Sequence, residues 1–533
     1  MSRAKWIIVF LLAVSVAVPS YAVELTLGGF PSFFRIRPQF YKNATFFGAL
    51  SNDEARLLGI NDADDKITFV DSRLRLTPQL VLSDAVTIRA QVDVADNNIW
   101  GGLNSTLERD VVFSSLTPTD RFRGALLTNS QNVLFSGLGF FGAPFHTSPT
   151  DSVQYFNVRM LHVDIVLPDN LGFIRAGRQP FDWGLGILAN GGWDPLSDLG
   201  FVLDRFLYLK SWPLYKGSFT FVFVSDRLRQ GNTLINGQGD GYDGGAVALI
   251  YNQGPLTVGG YVFPYIHQTN FAGTDANLDR FTLYSGLIDY KTDFFRFVAE
   301  IQGAQGKITG AHSLGFASNE IKIKRSNIIT AGRIEVYPGF PVKLFAGEFG
   351  LAVGDKINSA ADGGDFQGNV LAFSAAYNID NLLFKHIIPT IYGLENSVIN
   401  AYYARAWTTV KLLDHVTFTP QVLFAWNDRR QALLPPNFFG TGESNQVRRF
   451  LGSELEGTLS VGVVPGVNFD FIGGVVIAGN GLKDLYRQKA ASEFDTLAPA
   501  GTPAILPGDT SPPKAPFTFQ GRLLVYIDQF FKK

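Results

Sequence analysis

Seven arginines stand at alternating positions in the first third of the chain: Arg35 and Arg37, Arg73 and Arg75, then Arg89, Arg159 and Arg175. A guanidinium is a weakly hydrated, permanently charged fork suited to carboxylates and phosphates. Set together on one wall of low dielectric, these groups would raise the local concentration of anionic solutes. Asp71, Asp93 and Asp164 share their surroundings, and Gln179 follows Arg175 at even spacing. The same residues can therefore pair across neighbouring strands and simply fill an interior. The two readings are compatible, and both stand at this stage.

The elements that place these side chains are strands. In Thr68–Asp96, Val70, Leu74 and Leu76 fall on one parity and Asp71, Arg73 and Arg75 on the other. After Ser83-Asp84, Val86, Ile88, Val92 and Val94 alternate with Thr87, Arg89, Gln91 and Asp93. Side chains alternate across a strand, so each strand has one continuous aliphatic face and one charged face. A short join makes the pair an antiparallel hairpin. Aliphatic residues toward lipid and ions toward a wet lumen is the arrangement of a transmembrane barrel.

The ends and the composition agree. Arg3 and Lys5, the apolar run Trp6–Val18 and the small residues Ser20 and Ala22 form a secretory signal over residues 1–22, leaving 23–533 as one barrel domain. Without Arg3 and Lys5, 43 basic residues face 47 acidic ones, a net charge of −4 that argues against nucleic-acid binding. There is no cysteine, hence no disulfide, thiolate metal site or CxxCH haem attachment. No later apolar run is long enough for a helical span. Phe 47, Tyr 18 and Gly 55 with only 17% charged residues suit strands with aromatic girdles.

Short turns are expected at 83–85, 168–170, 213–217, 253–255, 291–293, 338–341, 412–415 and 464–467, all rich in turn-forming residues. Eight hairpins with a first strand, Leu25–Tyr41, and a last, Phe517–Phe531, give eighteen strands. Short turns then face the periplasm and long loops the exterior. Within Val153–Val166 the polar parity changes between Arg159 and His162, the mark of a bulge. Arg178 lies on the opposite parity from Arg175, placing it at the rim or beside a bulge. Segment 354–398 is apolar enough for an extra hairpin, but it is read as a loop folded inward or over the mouth. Segment 498–516, with six prolines, is an external loop.

At RAGRQPFDWGLGILANGGWDP, residues 175–195, the chain resembles the alginate-export and related porin-like barrels of Gram-negative outer membranes. The likeness rests on Gly177-Arg178-Gln179 and Trp183-Gly184-Leu185-Gly186, with the opening run at 73–97 similar in kind, and it implies an eighteen-stranded channel without naming a solute.

Other chemistry is poorly supported. The GxGxxG spacing at 137–142 lacks a βαβ frame. The acidic loops at 62–65, 240–243 and 355–365 match no EF-hand, and six scattered histidines show no metal-ligand spacing. No GxSxG elbow is present. The expectation is therefore an outer-membrane β-barrel channel, not an enzyme, with no cofactor and no metal. Its surroundings would be outer-membrane lipid and lipopolysaccharide, and its cargo small or anionic solutes. The pore-lining set is Arg35, Arg37, Asp71, Arg73, Arg75, Arg89, Asp93, Arg159, Asp164, Arg175 and Gln179. The alternative is a polymer exporter or the barrel sheath of a secretion or electron-transfer conduit, which would need a periplasmic partner.

Overall fold

The structure, a computed structural model, describes residues 24–27, 31–43, 66–100, 156–197, 200, 202–231, 240–269, 277–309, 320–354, 372–374, 376–388, 398–429, 447–486 and 515–531. Their alternating sequence folds as one antiparallel sheet of eighteen strands. The first strand, β1, runs in two pieces, Glu24–Leu27 and Phe33–Lys42, and β2 is broken at Thr77 into Lys66–Leu76 and Pro78–Ser83. Then come β3 (Val86–Trp100), β4 (Phe156–Leu167), β5 (Gly172–Pro180), β6 (Val202–Leu214), β7 (Gly217–Gly231), β8 (Asp240–Gln253) and β9 (Leu256–Thr269). The second half holds β10 (Asn277–Lys291), β11 (Phe295–Thr309), β12 (Glu320–Val336), β13 (Val342–Ala352), β14 (Ala401–Leu413) and β15 (Val416–Asn427). It ends with β16 (Phe450–Val464), β17 (Val467–Ala478) and β18 (Phe517–Tyr526).

Each strand pairs with its sequence neighbour, and β18 returns to β1 with Phe33 opposite Tyr526 and Lys42 opposite Phe517. Closure leaves no row of unpaired backbone groups, which hydrocarbon would not tolerate. All eight expected turns join the strands at one end, and the long connections lie at the other. The bulge is also where the parity change places it: Gln91 faces Met160 and Val92 faces Val158, so Arg159 is the extra residue.

The two faces invert the pattern of a water-soluble protein. Leu161, Val166, Leu249, Val262, Ile301, Phe349 and Ile477 are among the exposed side chains, while Arg35, Arg73, Arg75, Asp93 and Glu454 are at most 1% exposed. An aliphatic outer belt around an ionic interior is stable only with lipid outside. Aromatic residues collect at both ends of that belt. Tyr402, Trp426 and Phe450 lie 5.3 and 5.8 Å apart at the long-loop end, and Trp212 and Phe219 lie 6.1 Å apart at the short-turn end. The chain is a closed β-barrel of the outer membrane.

The long connections at 44–65, 101–155 and 487–514 lie outside the described residues, with the signal segment, the 137–142 glycines and the acidic loops 62–65 and 355–365. Of the region 354–398, residues 372–374 and 376–388 are described. They lie against the inner wall, and Leu383–Ile387 forms a buried π-helical turn.

Candidate functional site: a lumen held by two inserts

The arginines of β1–β5 point inward because their strands must turn the intervening Leu74, Val92 and Val94 to lipid. Asp71 sits among three of their neighbours, accepting from Arg35 at 3.0 Å, from Arg37 Nε at 2.9 Å and from Gln39. Asp93 takes both forks of Arg75 at 2.7 and 2.8 Å, with Arg159 3.8 Å and Arg73 4.0 Å away. Among the described residues five guanidiniums thus share two carboxylates, and further donors go to backbone.

That backbone is the segment after β5. Arg35 donates to the Pro195 carbonyl at 2.8 Å, Arg73 to Ser197 at 2.7 Å, Arg75 to Gly192 at 2.8 Å and Arg159 to Gly191 at 2.8 Å. Residues 181–197 form a first lumenal insert lying across the arginine wall. Internally, Asp182 accepts from the Gly191 N–H at 2.6 Å and from the Trp193 indole. Burial pushes the Asp182 carboxyl above its ordinary range.

The far side of this insert rests on the opposite wall. Gly184 (φ +58°) and Gly186 (φ +81°) turn the chain so that the N–H groups of Leu185 and Gly186 reach Glu300 Oε2 at 2.7 and 3.1 Å. A Cβ on Gly184 would lie 2.6 Å from that oxygen. The Trp183–Gly186 motif is therefore a backbone cradle for one buried carboxylate.

The second insert, at 372–388, is fixed by β12–β16. Glu348 of β13 pairs with Arg333 at 2.6 Å and with Arg405 at 3.0 Å, and accepts from Tyr403 at 2.5 Å. Arg405 and Gln421 both donate to the Ile379 carbonyl, at 2.9 and 2.8 Å. Asn381 N–H donates to Glu456 at 2.5 Å and Leu383 N–H to Glu454 at 2.7 Å. Asp380 receives the N–H groups of Phe384 and Lys385 at 2.8 and 2.9 Å. Burial, then the nearby charge of Glu456, pushes the Asp380 carboxyl up to about 7.

The inserts meet each other in mid-lumen. Ser374 N–H donates to Ile187 O at 2.7 Å, and Ser197 Oγ to Ala376 O at 3.2 Å. Trp183, Ile187 and Leu188 of one join Phe373, Leu383 and Phe384 of the other in a buried apolar cluster. Tyr41 of the basic wall completes it, hydrogen-bonded to His386 at 2.8 Å.

Solvent reaches only part of the arginine set. Arg35, Arg37, Asp71, Arg73, Arg75 and Asp93 are at most 4% exposed, and Gln179 is 2% exposed and bonded to the Arg205 carbonyl. Arg159 and Asp164 are nearly as buried. Arg89 and Arg175 keep side-chain exposures of 26% and 27%, both bonded to Asp164 near the short-turn end, at 3.1 and 2.6 Å. Arg178 pairs with Asp204 at 2.8 Å on the outward face, since its cross-strand partner Leu161 is lipid-facing.

Glu300, Glu335, Glu454 and Glu456 are legible as inward-facing acids by parity. Glu348, Arg333, Arg405 and Asp380 were missed. The first three stand on the inward parity of their strands, Arg333 two residues before Glu335, so counting parity along β12–β14 would have found them; for Asp380 no pattern signals a lumenal role.

No family model and no curated protein sequence matches the chain. Among solved structures it is similar to OccAB1 of Acinetobacter baumannii, at 11% identity over 93% of this chain and 96% of that one, with a TM-score of 0.44. It is also similar to Wzi of Escherichia coli, an outer-membrane carbohydrate-binding β-barrel involved in group 1 capsule assembly. That match has 10% identity, covers 93% of this chain and 85% of that one, and has a TM-score of 0.42. OccK8 (OprE) of Pseudomonas aeruginosa aligns at 10% identity over 93% and 98%, with a TM-score of 0.41. The resemblance to alginate-export barrels rests on residues 175–195 and the opening hairpin, and no family model supports it.

Proposed function

We propose that this barrel is a channel for small solutes with a preference for anionic ones, narrowed in mid-lumen by the two inserts. The observation that carries the reading is the division of the arginine wall. Most guanidiniums are covered by the first insert and act as its fasteners. Arg89 and Arg175 share the single carboxylate of Asp164 and keep access to water. Two cations to one anion, in a vestibule bounded by low-dielectric wall, concentrates anions at the periplasmic entrance.

Planar bilayers under a salt gradient test this. The wild type should conduct and show an anion-favouring reversal potential that weakens as salt rises. Arg89→Ala/Arg175→Ala should lose the preference while keeping conductance. Arg73→Ala/Arg75→Ala should instead raise conductance or noise by loosening the insert. Absence of conductance would sink the channel reading, and an unchanged reversal potential in the Arg89/Arg175 variant would sink the anion preference.

A further inference from the structure

Where the second insert meets β16, carboxylates from two separate segments are buried together. Asp380 is 4% exposed and Glu454 0%, and Glu456 is the next inward-facing residue on the same strand. Their acceptor positions are not equally filled. Glu456 takes Asn381 N–H on one oxygen and Gln421 Nε2, at 2.9 Å, on the other. Asp380 takes one N–H on each oxygen. Glu454 takes Leu383 N–H on Oε2, whereas its Oε1 is buried with no hydrogen-bond partner.

An ionised oxygen left in that position is costly, but a protonated carboxyl turns the orphan acceptor into a donor beside two acids. The nearby cations do not neutralise the group: Arg405 and Arg333 bind Glu348, with Arg405 also holding Ile379 O and Arg333 the Tyr377 hydroxyl. Lys385 and His386 belong to the insert itself, and His386 faces Tyr41.

We infer that this contact is a proton-controlled latch: with one proton held on Glu454 the second insert is seated on β16, and when the proton leaves the insert is released. Its effect on conduction rests on the channel reading; its chemistry does not. The raised Asp380 carboxyl, up to about 7, is a second sign that the seated state favours bound protons. The sign follows from linkage. Seating binds a proton that a solvated carboxyl would release near its ordinary range of about 4, so seating weakens as pH rises above that range. One proton changes the seated-to-released ratio by up to about tenfold per pH unit.

The chain lacks cysteine, so the latch can be read by thiol labelling in lipid vesicles. Ile387→Cys, at 1% exposure, reports the insert, and Tyr215→Cys, at 92% in a short turn, corrects for thiol ionisation. Between pH 5 and 8 the corrected maleimide rate at position 387 should rise at least tenfold. Glu454→Gln, which supplies the missing donor without a titratable proton, should hold the rate low and flat. Asp380→Asn should shrink the rise by removing one contesting charge, and it provides a second route if the Gln variant fails to fold. A flat profile in the parent overturns the latch. So does a rise that persists in Glu454→Gln, which would assign the response to His386. Labelling that follows pH while bilayer conductance is absent supports the latch and sinks the channel reading alone.

Discussion

On the basic wall the first insert is held by its carbonyls, and on β16 the second is held by its N–H groups. The first turns the carbonyls of 191, 192, 195 and 197 toward guanidiniums of β1–β4, while the second turns the N–H groups of 381 and 383 toward carboxylates of β16. The difference has a dynamic consequence. Guanidiniums stay charged at any accessible pH, so the first insert's hold on the basic wall is permanent. Carboxylates titrate, so the second can be let go. The sign of the group a strand presents thus selects which half of the backbone it can hold and whether that hold is reversible.

Breaking the basic wall should have the largest effect. Asp93→Ala leaves Arg73, Arg75 and Arg159 around a missing counter-charge at 0% exposure. Removing one partner of a buried ion cluster costs about 3–5 kcal/mol, measurable by urea unfolding from vesicles. Glu348→Ala should cost a similar amount on the acidic wall, because Arg333 and Arg405 lose the carboxylate between them. If only one wall proves sensitive, the symmetry of the comparison fails.

The next effect separates lumen from lipid. Val92→Arg puts a charge on the hydrocarbon side and should cost about 2–4 kcal/mol near the bilayer midplane. Sequence alone suggests that Gln91→Arg is cheap, since parity turns Gln91 itself to a wet interior. The structure corrects that: Gln91 is 2% exposed and accepts from Arg159 at 3.0 Å. A second guanidinium there meets Arg159, and the Asp93 carboxylate is already shared with Arg73 and Arg75, so this variant should destabilise as well, and by loss of the insert's anchorage rather than by lipid exposure. Gly184→Ala acts on the first insert alone, through a strained positive φ and the contact with Glu300, at about 1–3 kcal/mol. It should increase conductance noise without changing its pH dependence; a changed pH profile would mean the inserts are not independently held.

What was legible follows from period and sterics. Alternation in β2 and β3 and turn chemistry at eight hairpins specify a closed barrel, because a one-residue slip would send Arg73 or Asp93 into lipid. The bulge at Arg159 was legible as a break in parity. The covering of the arginines was not, since 181–197 carries no pattern pointing inward and its grip is made by carbonyls, which every sequence has. The role of 372–388 was half legible: its apolar content suggested a place inside or over the mouth. Its seat depends on Glu454 and Glu456 being opposite it in space, at a sequence distance no periodicity spans.

The smallest effect should come from Arg178, the outward-facing arginine of the 175–195 motif. Arg178 and Asp204 make two well-formed bonds, at 2.8 and 3.0 Å, but on the outward face with side chains 35% and 53% exposed. Exposed pairs gain little, because water and salt screen the attraction and two long side chains must be held still. Arg178→Ala should therefore shift stability by under about 1 kcal/mol and leave both reversal potential and labelling at position 387 unchanged. This is the sharpest control on the comparison, since Arg178 is separated from Arg175 by only two residues and differs from it chiefly in the face it occupies. If Arg178→Ala were as damaging as Asp93→Ala, position relative to the lumen would not be what gives the other arginines their weight.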